Sequence, residues 1–259
     1  ELISFVTYKL SLGIYGLNLI LAFFFVYALN KFANEFKENY WLIFAIAFPY
    51  IITVVAMGFT RQAAAFAFVL ISISELKNKK ILTYVLFSIL AILFHKSSVV
   101  LISLVLLTHY RLTYKNIFIF IFFFIISFLI ISPELNRIIS GYLSEDTRYV
   151  SKGVYYRIII NIFAGLIFII FYKKLKVNKN IDKLIILIFV ANLFFLFYAN
   201  NYSTLVDRIN IYFTIIQLIV FSRIYLIYPR LKIIFNIFVL FIYSYLYIGW
   251  LYLSDHSYA

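Results

Sequence analysis

Long apolar runs separated by short polar breaks make up most of this chain. One of them, from Asn116 to Ser132, has no charged residue and as a helix would extend about 25 Å. The pattern of runs and breaks predicts about ten membrane segments. They lie near residues 11–30, 41–58, 60–75, 81–94, 97–108, 116–132, 154–172, 184–199, 208–222 and 233–252.

The composition identifies the class of protein. Of the 259 residues, 65% are hydrophobic and 13% are charged, whereas a soluble domain carries about 25% charged residues. The sequence therefore predicts an all-α, polytopic transmembrane helical bundle, and it contains no repeat or linker that would divide residues 1–259 into more than one domain. The chain begins at Glu1 and its one methionine is Met57, so we expect an N-terminal portion to precede it.

Basic residues divide between two sets of alternate loops. Of the 23 lysines and arginines, 15 lie in one set, which the positive-inside rule places in the cytoplasm. That set contains 12 lysines and 3 arginines, whereas the opposite face holds 5 of the 8 arginines. Topology gives no reason to enrich arginine outside, but the planar guanidinium binds phosphate through two parallel hydrogen bonds. The distribution predicts an anionic ligand on the outer face.

Composition also excludes several kinds of chemistry. The absence of cysteine excludes disulfides, thiol nucleophiles and thiolate metal sites. The seven glycines form no nucleotide-binding loop, and the three histidines lack metal-ligand spacing, so neither a cofactor nor a metal is predicted. The positive-inside rule accounts for the net charge of +13 without a nucleic-acid partner.

Arg61 and Gln62 are the first candidate site residues, because they lie between two apolar runs. A charge near the hydrocarbon is costly and usually functional. The three alanines that follow allow a helix or a ligand to approach closely. The alternative is an arginine at a helix end that extends to the lipid headgroups.

His95 lies in the sequence Phe-His-Lys-Ser-Ser, on the same predicted outer face as Arg61. Histidine titrates nearest to neutral pH and is the natural general base for a hydroxyl group. The alternative is a hydrogen-bonded packing residue. We expect His109, in a cytoplasmic loop, and His256, in the tail, to be inert.

Arg157 lies about one turn into an apolar helix on the outer side. The preceding Tyr155 and Tyr156 either anchor the protein at the membrane interface or offer flat faces to sugar rings. Both interpretations stay open from the sequence.

Asp207 and Arg208 are adjacent in a later segment, so on a helix they point about 100° apart and each is expected to have a partner elsewhere. A structural ion pair is the alternative to a catalytic role for Asp207. Arg208 and Tyr212 share one helix face. We expect Arg61, His95, Arg157 and Arg208 to line one cavity large enough for a diphosphate.

These motifs together resemble the EpsG-like family of polysaccharide polymerases, the Wzy type. The resemblance rests on Arg61-Gln62 opening an Ala-rich helix, on the lysine-rich turn at 77–80, and on Phe94-His95 before small hydroxyl residues. The later segment DRINIYF is similar to the family's R-x-x-x-Y-F motif. The opening of the chain is similar to the segment after the family's first periplasmic loop, which agrees with a missing N-terminal portion.

The resemblance implies polymerisation of undecaprenyl-diphosphate-linked repeat units, for O-antigen or capsule, at the periplasmic face of the bacterial inner membrane. Arg61, Arg157 and Arg208 would neutralise the leaving diphosphate, and Gln62, Tyr155, Tyr156 and Tyr212 would complete the substrate site. His95 would be the base, with Asp207 next in line. A flippase and a chain-length regulator are the protein partners implied.

Two other functions fit the same chemistry. An O-antigen ligase would use the same donor with a lipid A core acceptor. A flippase for lipid-linked oligosaccharides would also need outer arginines, but it should show internal repeats and basic residues at mid-membrane, and the sequence shows neither.

Overall fold

The computed structural model describes residues 2–36, 39–101, 151, 153–200 and 202–253, and this part of the chain is helical without a strand. The helices, in chain order, are α1 (Leu2–Lys9), α2 (Gly13–Glu35), α3 (Tyr40–Ala47), α4 (Thr60–Lys77), α5 (Ile81–Phe94), α6 (Val154–Ile170), α7 (Tyr172–Leu175), α8 (Lys179–Tyr198), α9 (Ser203–Phe213), α10 (Ile215–Ser222) and α11 (Lys232–Leu253).

Several helices are suited to a membrane. Four helical stretches are long and apolar enough to cross one, namely Gly13–Glu35, Lys179–Tyr198, Ser203–Ser222 and Pro229–Tyr252. Shorter apolar helices accompany them at Tyr40–Ala56, Ile81–Phe94 and Val154–Ile170. The chain is therefore a helical membrane protein, but the expected ten spans are not confirmed. The predicted segment 116–132 and most of 97–108 lie outside the described residues.

Helix α4, which covers the membrane segment predicted near residues 60–75, is enclosed by other helices. Fourteen of its 18 residues are buried. It packs against α2 and α5 and also contacts α8 and α9. Its four alanines, at positions 63, 64, 65 and 67, explain this position, because small side chains let neighbouring helices approach closely.

Helix α3 continues as a π-helix over Phe48–Ala56. Pro49 lacks the amide hydrogen that regular α-helical bonding requires, so the winding changes at this point. The Thr53 hydroxyl donates to the Pro49 carbonyl at 2.5 Å. In this segment Tyr50 faces Arg157, whose guanidinium carbon lies 4.7 Å from the centre of the tyrosine ring.

The described loops of the predicted cytoplasmic set meet at one end of the bundle, which we call the lysine end. Lys77 donates to the carbonyl of Glu35, the last residue of α2. Lys174 donates at 2.5 Å to the carbonyl of Ile227, which ends a 3₁₀ turn. Such carbonyls lack a helical donor and carry partial negative charge. These lysines therefore stabilise the ends of neighbouring helical segments.

Two acids are also bound into the lysine end. The buried carboxylate of Glu75 accepts from Lys31 at 2.6 Å. Asp182 accepts from the Tyr172 hydroxyl at 3.3 Å, and its negative charge raises the pKa of Tyr172. Both carboxylates thus have structural partners.

Candidate functional site

The other end of the bundle, which we call the arginine end, gathers four segments around α9. These are the start of α4, the 3₁₀ turn Lys96–Ser98 after α5, the start of α6, and α9 itself. Helix α9 contacts the other three, and the turn also contacts α4. The segments that carry Arg61, His95, Arg157 and Arg208 therefore converge, although they are far apart in sequence.

Gln62 links α4 to α9. Its side chain is buried, and its Nε2 donates a 2.8 Å hydrogen bond to the backbone carbonyl of Arg208. A buried amide requires such a partner. The bond joins the two helices that carry the exposed side chains of Arg61 and Arg208. Within the described part of the chain, neither guanidinium has an ion pair or a side-chain hydrogen bond.

His95 ends α5 and bonds to the turn that follows. Its Nδ1 lies 2.6 Å from the Ser97 hydroxyl oxygen, and its side chain is half-buried. The 3₁₀ turn Lys96–Ser98 contacts α9. The ring is thus fixed at the arginine end instead of projecting freely from a helix terminus.

Tyr212 is buried beneath this turn. Its side chain is fully enclosed, and its ring stacks on Phe66 of α4 with 6.2 Å between ring centres. Among the described residues, its buried hydroxyl has no hydrogen-bond partner. Arg208 and Tyr212 share one helix face as expected, but the arginine lies at the surface and the tyrosine inside.

Arg157 and Asp207 form an ion pair between α6 and α9. The Arg157 Nη2 and Nε atoms each lie 2.5 Å from Asp207 Oδ1. Ser151 donates to Asp207 Oδ2 at 2.8 Å and accepts from Arg157 Nη2 at 3.0 Å. The Tyr50 ring covers the guanidinium on another side, an arrangement that stabilises a cation. Asp207 thus has the distant partner that its sequence position suggested.

Tyr155 and Tyr156 lie on the outside of the bundle. Their exposed fractions are 39% and 67%. They follow Val154, which is buried, so the start of α6 turns both tyrosines away from α9. Their place in a substrate site stays a prediction.

A buried amide network lies next to the site and was not predicted from the sequence. Asn161 donates to Asn210 at 2.8 Å and accepts from Gln217 at 2.7 Å. Gln217 in turn accepts from the Tyr243 hydroxyl at 2.7 Å. The network joins α6, α9, α10 and α11. Its signal in the sequence is a single amide within each of two apolar runs, RIIINIF and TIIQLIV, because polar residues in such runs are costly unless paired.

One cavity in the described part of the bundle lies away from the four candidate residues that were expected to share a cavity. A cavity of about 270 Å³ lies between α2, the end of the π-helix and the start of α4, lined in part by Asn18, Met57 and Thr60. Arg61, His95, Arg157 and Arg208 do not line it. The expected single cavity around these four residues thus stays a prediction, while the convergence of their segments is observed. Among the described residues, no group of three or more acids and histidines is arranged to hold a metal ion.

Comparison with known families gives one result. The model of the EpsG family matches residues 1–259, so the chain belongs to this family. Comparisons with curated proteins and with solved structures give no significant match. The resemblance noted from Arg61-Gln62 and Phe94-His95 is confirmed at the level of the family. Membership indicates a polymerase-like role in polysaccharide biosynthesis.

Proposed function

We propose that this member of the EpsG family polymerises lipid-linked oligosaccharide repeat units at its arginine end, facing the periplasm or cell exterior across the bacterial inner membrane. The donor is a glycan on undecaprenyl diphosphate, and the acceptor is a sugar hydroxyl of a second lipid-linked unit. Two features support this proposal, the family match over residues 1–259 and the enrichment of arginine on one predicted face.

The observation that carries the proposal concerns two arginines on the helices that meet at the α4–α9 junction. Within the described part of the chain, their guanidinium groups make no ion pair and no side-chain hydrogen bond. Arg61 and Arg208 are exposed there, and Gln62 joins their helices. A diphosphate offers oxygens that can accept hydrogen bonds from the planar forks of two guanidiniums. We assign the diphosphate to these two arginines, because Arg157 is already paired with Asp207.

The reaction transfers a glycosyl group. The acceptor oxygen forms a bond to the anomeric carbon while the bond from that carbon to the phosphate oxygen breaks, and the diphosphate leaves with the electron pair. The acceptor proton passes to His95, which acts as general base. Arg61 and Arg208 stabilise the negative charge that develops on the leaving group. Asp207, bound by Arg157 and Ser151, holds α6 to α9.

The glycan profile of a deletion strain tests the proposal. Loss of long chains with single repeat units retained is the expected result, and loss of all surface glycan would instead indicate a ligase or a flippase. Complementation with His95→Ala should fail to restore chain length at wild-type protein level, since a general base contributes about 10²–10⁴ in rate. His109→Ala, the matched control, should restore it.

A further inference from the structure

The cavity of about 270 Å³ beside the start of α4 has an uncharged lining. Eight residues line it, and six of them have apolar side chains, namely Leu21, Ala22, Phe25, Ala56, Met57 and Ala63. Three of these six are alanines, whose small side chains leave the space open. Asn18 and Thr60 supply the two polar side chains. A cavity of this composition fits an uncharged, mainly apolar ligand.

The polar and apolar parts of the lining differ in depth. Helices α2 and α4 run in the same direction, since their last residues, Glu35 and Lys77, meet at the lysine end. Asn18 and Thr60 each lie 17 residues before those last residues, so both are at the arginine end and at a similar height. Phe25 lies about 10 Å deeper along α2, at about 1.5 Å per residue. On α2 the lining therefore changes from polar to apolar with depth.

The cavity is open to the side of the bundle. On its rim Asn18 and Ala22 are exposed, and Met57 is 76% exposed. Helix α2 is long and apolar enough to cross a membrane, and 28% of its apolar stretch is buried. The remaining apolar surface faces lipid, so a chain from the membrane can enter the cavity between α2 and α4. The flexible Met57 side chain suits such an entrance, because methionine adapts to varied apolar shapes.

A positive charge stands next to this apolar space. Thr60 lines the cavity, and the next residue of α4 is Arg61, whose side chain is exposed. Consecutive side chains on a helix point about 100° apart, so Arg61, which does not line the cavity, lies to one side of it. The arrangement fits a ligand in which an anionic group is joined to an apolar chain.

We propose that the cavity holds the first isoprene units of the donor's lipid chain while Arg61 binds the diphosphate. This inference rests on the proposed function of Arg61. An apolar cavity of about 150 Å³ holds one benzene molecule, so a cavity of about 270 Å³ has space for about two isoprene units. Enclosure of these units fixes the height of the diphosphate in the membrane, and with it the position of the anomeric carbon that reacts.

Binding of radiolabelled geranyl diphosphate, whose chain is of that length, tests the inference on purified protein in phosphatidylcholine nanodiscs. Ala22→Phe places a ring in the cavity from its exposed rim, so it should exclude part of the ligand's chain. Loss of about two buried methylene groups weakens binding about tenfold. The affinity for radiolabelled inorganic diphosphate, which has no chain, should stay as in the wild type.

Val26→Phe is the matched control for this variant. Val26 is 56% exposed on α2 and does not line the cavity. It receives the same ring about one turn further along the helix, so the affinity for geranyl diphosphate should not change. An equal loss of geranyl diphosphate binding in Ala22→Phe and Val26→Phe, or an equal loss of both ligands in Ala22→Phe, would show a general effect on α2 and overturn the inference.

Arg61→Gln separates the role of the cavity from that of the arginine, because it should weaken the binding of both ligands. If it does so while Ala22→Phe leaves geranyl diphosphate binding unchanged, the role of the cavity is overturned and the diphosphate assignment stands. This is also the result expected if an acyl chain of the surrounding lipid fills the cavity. Unchanged binding of both ligands in Arg61→Gln would overturn the diphosphate assignment, and this inference with it.

Discussion

The side chain of Gln62 donates a 2.8 Å hydrogen bond to the backbone carbonyl of Arg208, across 146 residues of sequence. The acceptor is a backbone atom, so the arginine side chain is left available for other partners. The bond connects the Arg-Gln dipeptide that opens α4 with the DRINIYF segment of α9. The two arginine-bearing motifs of the sequence are therefore parts of one structural junction.

Replacing either exposed arginine with lysine should shorten the polymer strongly. Lysine keeps the positive charge but loses the planar fork that binds phosphate through two hydrogen bonds. Removal of one transition-state donor typically costs about 10²–10³ in rate. We therefore expect Arg61→Lys and Arg208→Lys to abolish long chains in a complemented deletion strain, as measured on glycan gels with protein levels checked by immunoblot.

Arg230→Lys is the control for this experiment. Arg230 is likewise exposed but lies in the 3₁₀ turn Pro229–Leu231 at the lysine end. Its substitution should leave chain length unchanged. Wild-type chain length in both Arg61→Lys and Arg208→Lys would exclude bidentate phosphate binding by these side chains.

Arg157 and Asp207 should each contribute to the stability of the protein only while the other is present. Each side chain is less than a fifth exposed, so removing one leaves the other charge poorly solvated at a cost of about 2–3 kcal/mol. Asp207→Asn and Arg157→Gln should each lower the thermal unfolding temperature in detergent, and the double variant should lose less than the two single losses combined. Additive losses would show that the contact contributes little.

The amide network should contribute to stability through its central member. Asn161→Leu leaves Gln217 and Asn210 without their partner, at a cost of about 1–3 kcal/mol. Asn34→Leu is the control, because Asn34 is exposed on α2. Thermal unfolding in detergent should show a clear loss only for Asn161→Leu. Equal unfolding temperatures would mean that the network adds no net stability.

Gly165 permits the close approach of α6 and α8. A Cβ atom at this position would lie 2.7 Å from Phe189 Cβ, an atom that cannot move without its backbone. Overpacking of this kind costs about 1–3 kcal/mol, so Gly165→Ala should lower the unfolding temperature. Gly249→Ala, where nothing lies within 4 Å, should leave it unchanged or raise it slightly. A neutral Gly165→Ala variant would show that the two helices can separate freely.

The orientation of the bundle can be tested with single cysteines, because the chain contains none. Tyr202 is 46% exposed at the arginine end. The cysteine of a Tyr202→Cys variant should react with a membrane-impermeant maleimide that is added to cells with a permeabilised outer membrane and an intact inner membrane. Lys179→Cys, at the lysine end, should react only after lysis. The reverse result would place the arginine end in the cytoplasm and overturn the proposed function.

Local signals in the sequence were sufficient for several features. In the described part of the chain, the apolar runs predicted helices in the right regions because burial in lipid requires backbone hydrogen bonds to close within each segment. The starts of α4 and α6, with Arg61 and Arg157, were located by charges beside those runs. The sequence also predicted that the lysine-rich loops lie on one face of the bundle, because the positions of the charged residues along the chain are sufficient for that assignment.

The burial of each helix and the partners of each polar group were decided by tertiary packing. Hydropathy is similar for a helix that faces lipid and for one that faces other helices, so the sequence did not show that neighbours enclose α4. The sequence likewise could not show that Arg157 pairs with Asp207, whereas Arg61 and Arg208 form no ion pair within the described part of the chain. These partners lie on different helices, and the packing of those helices sets which groups meet.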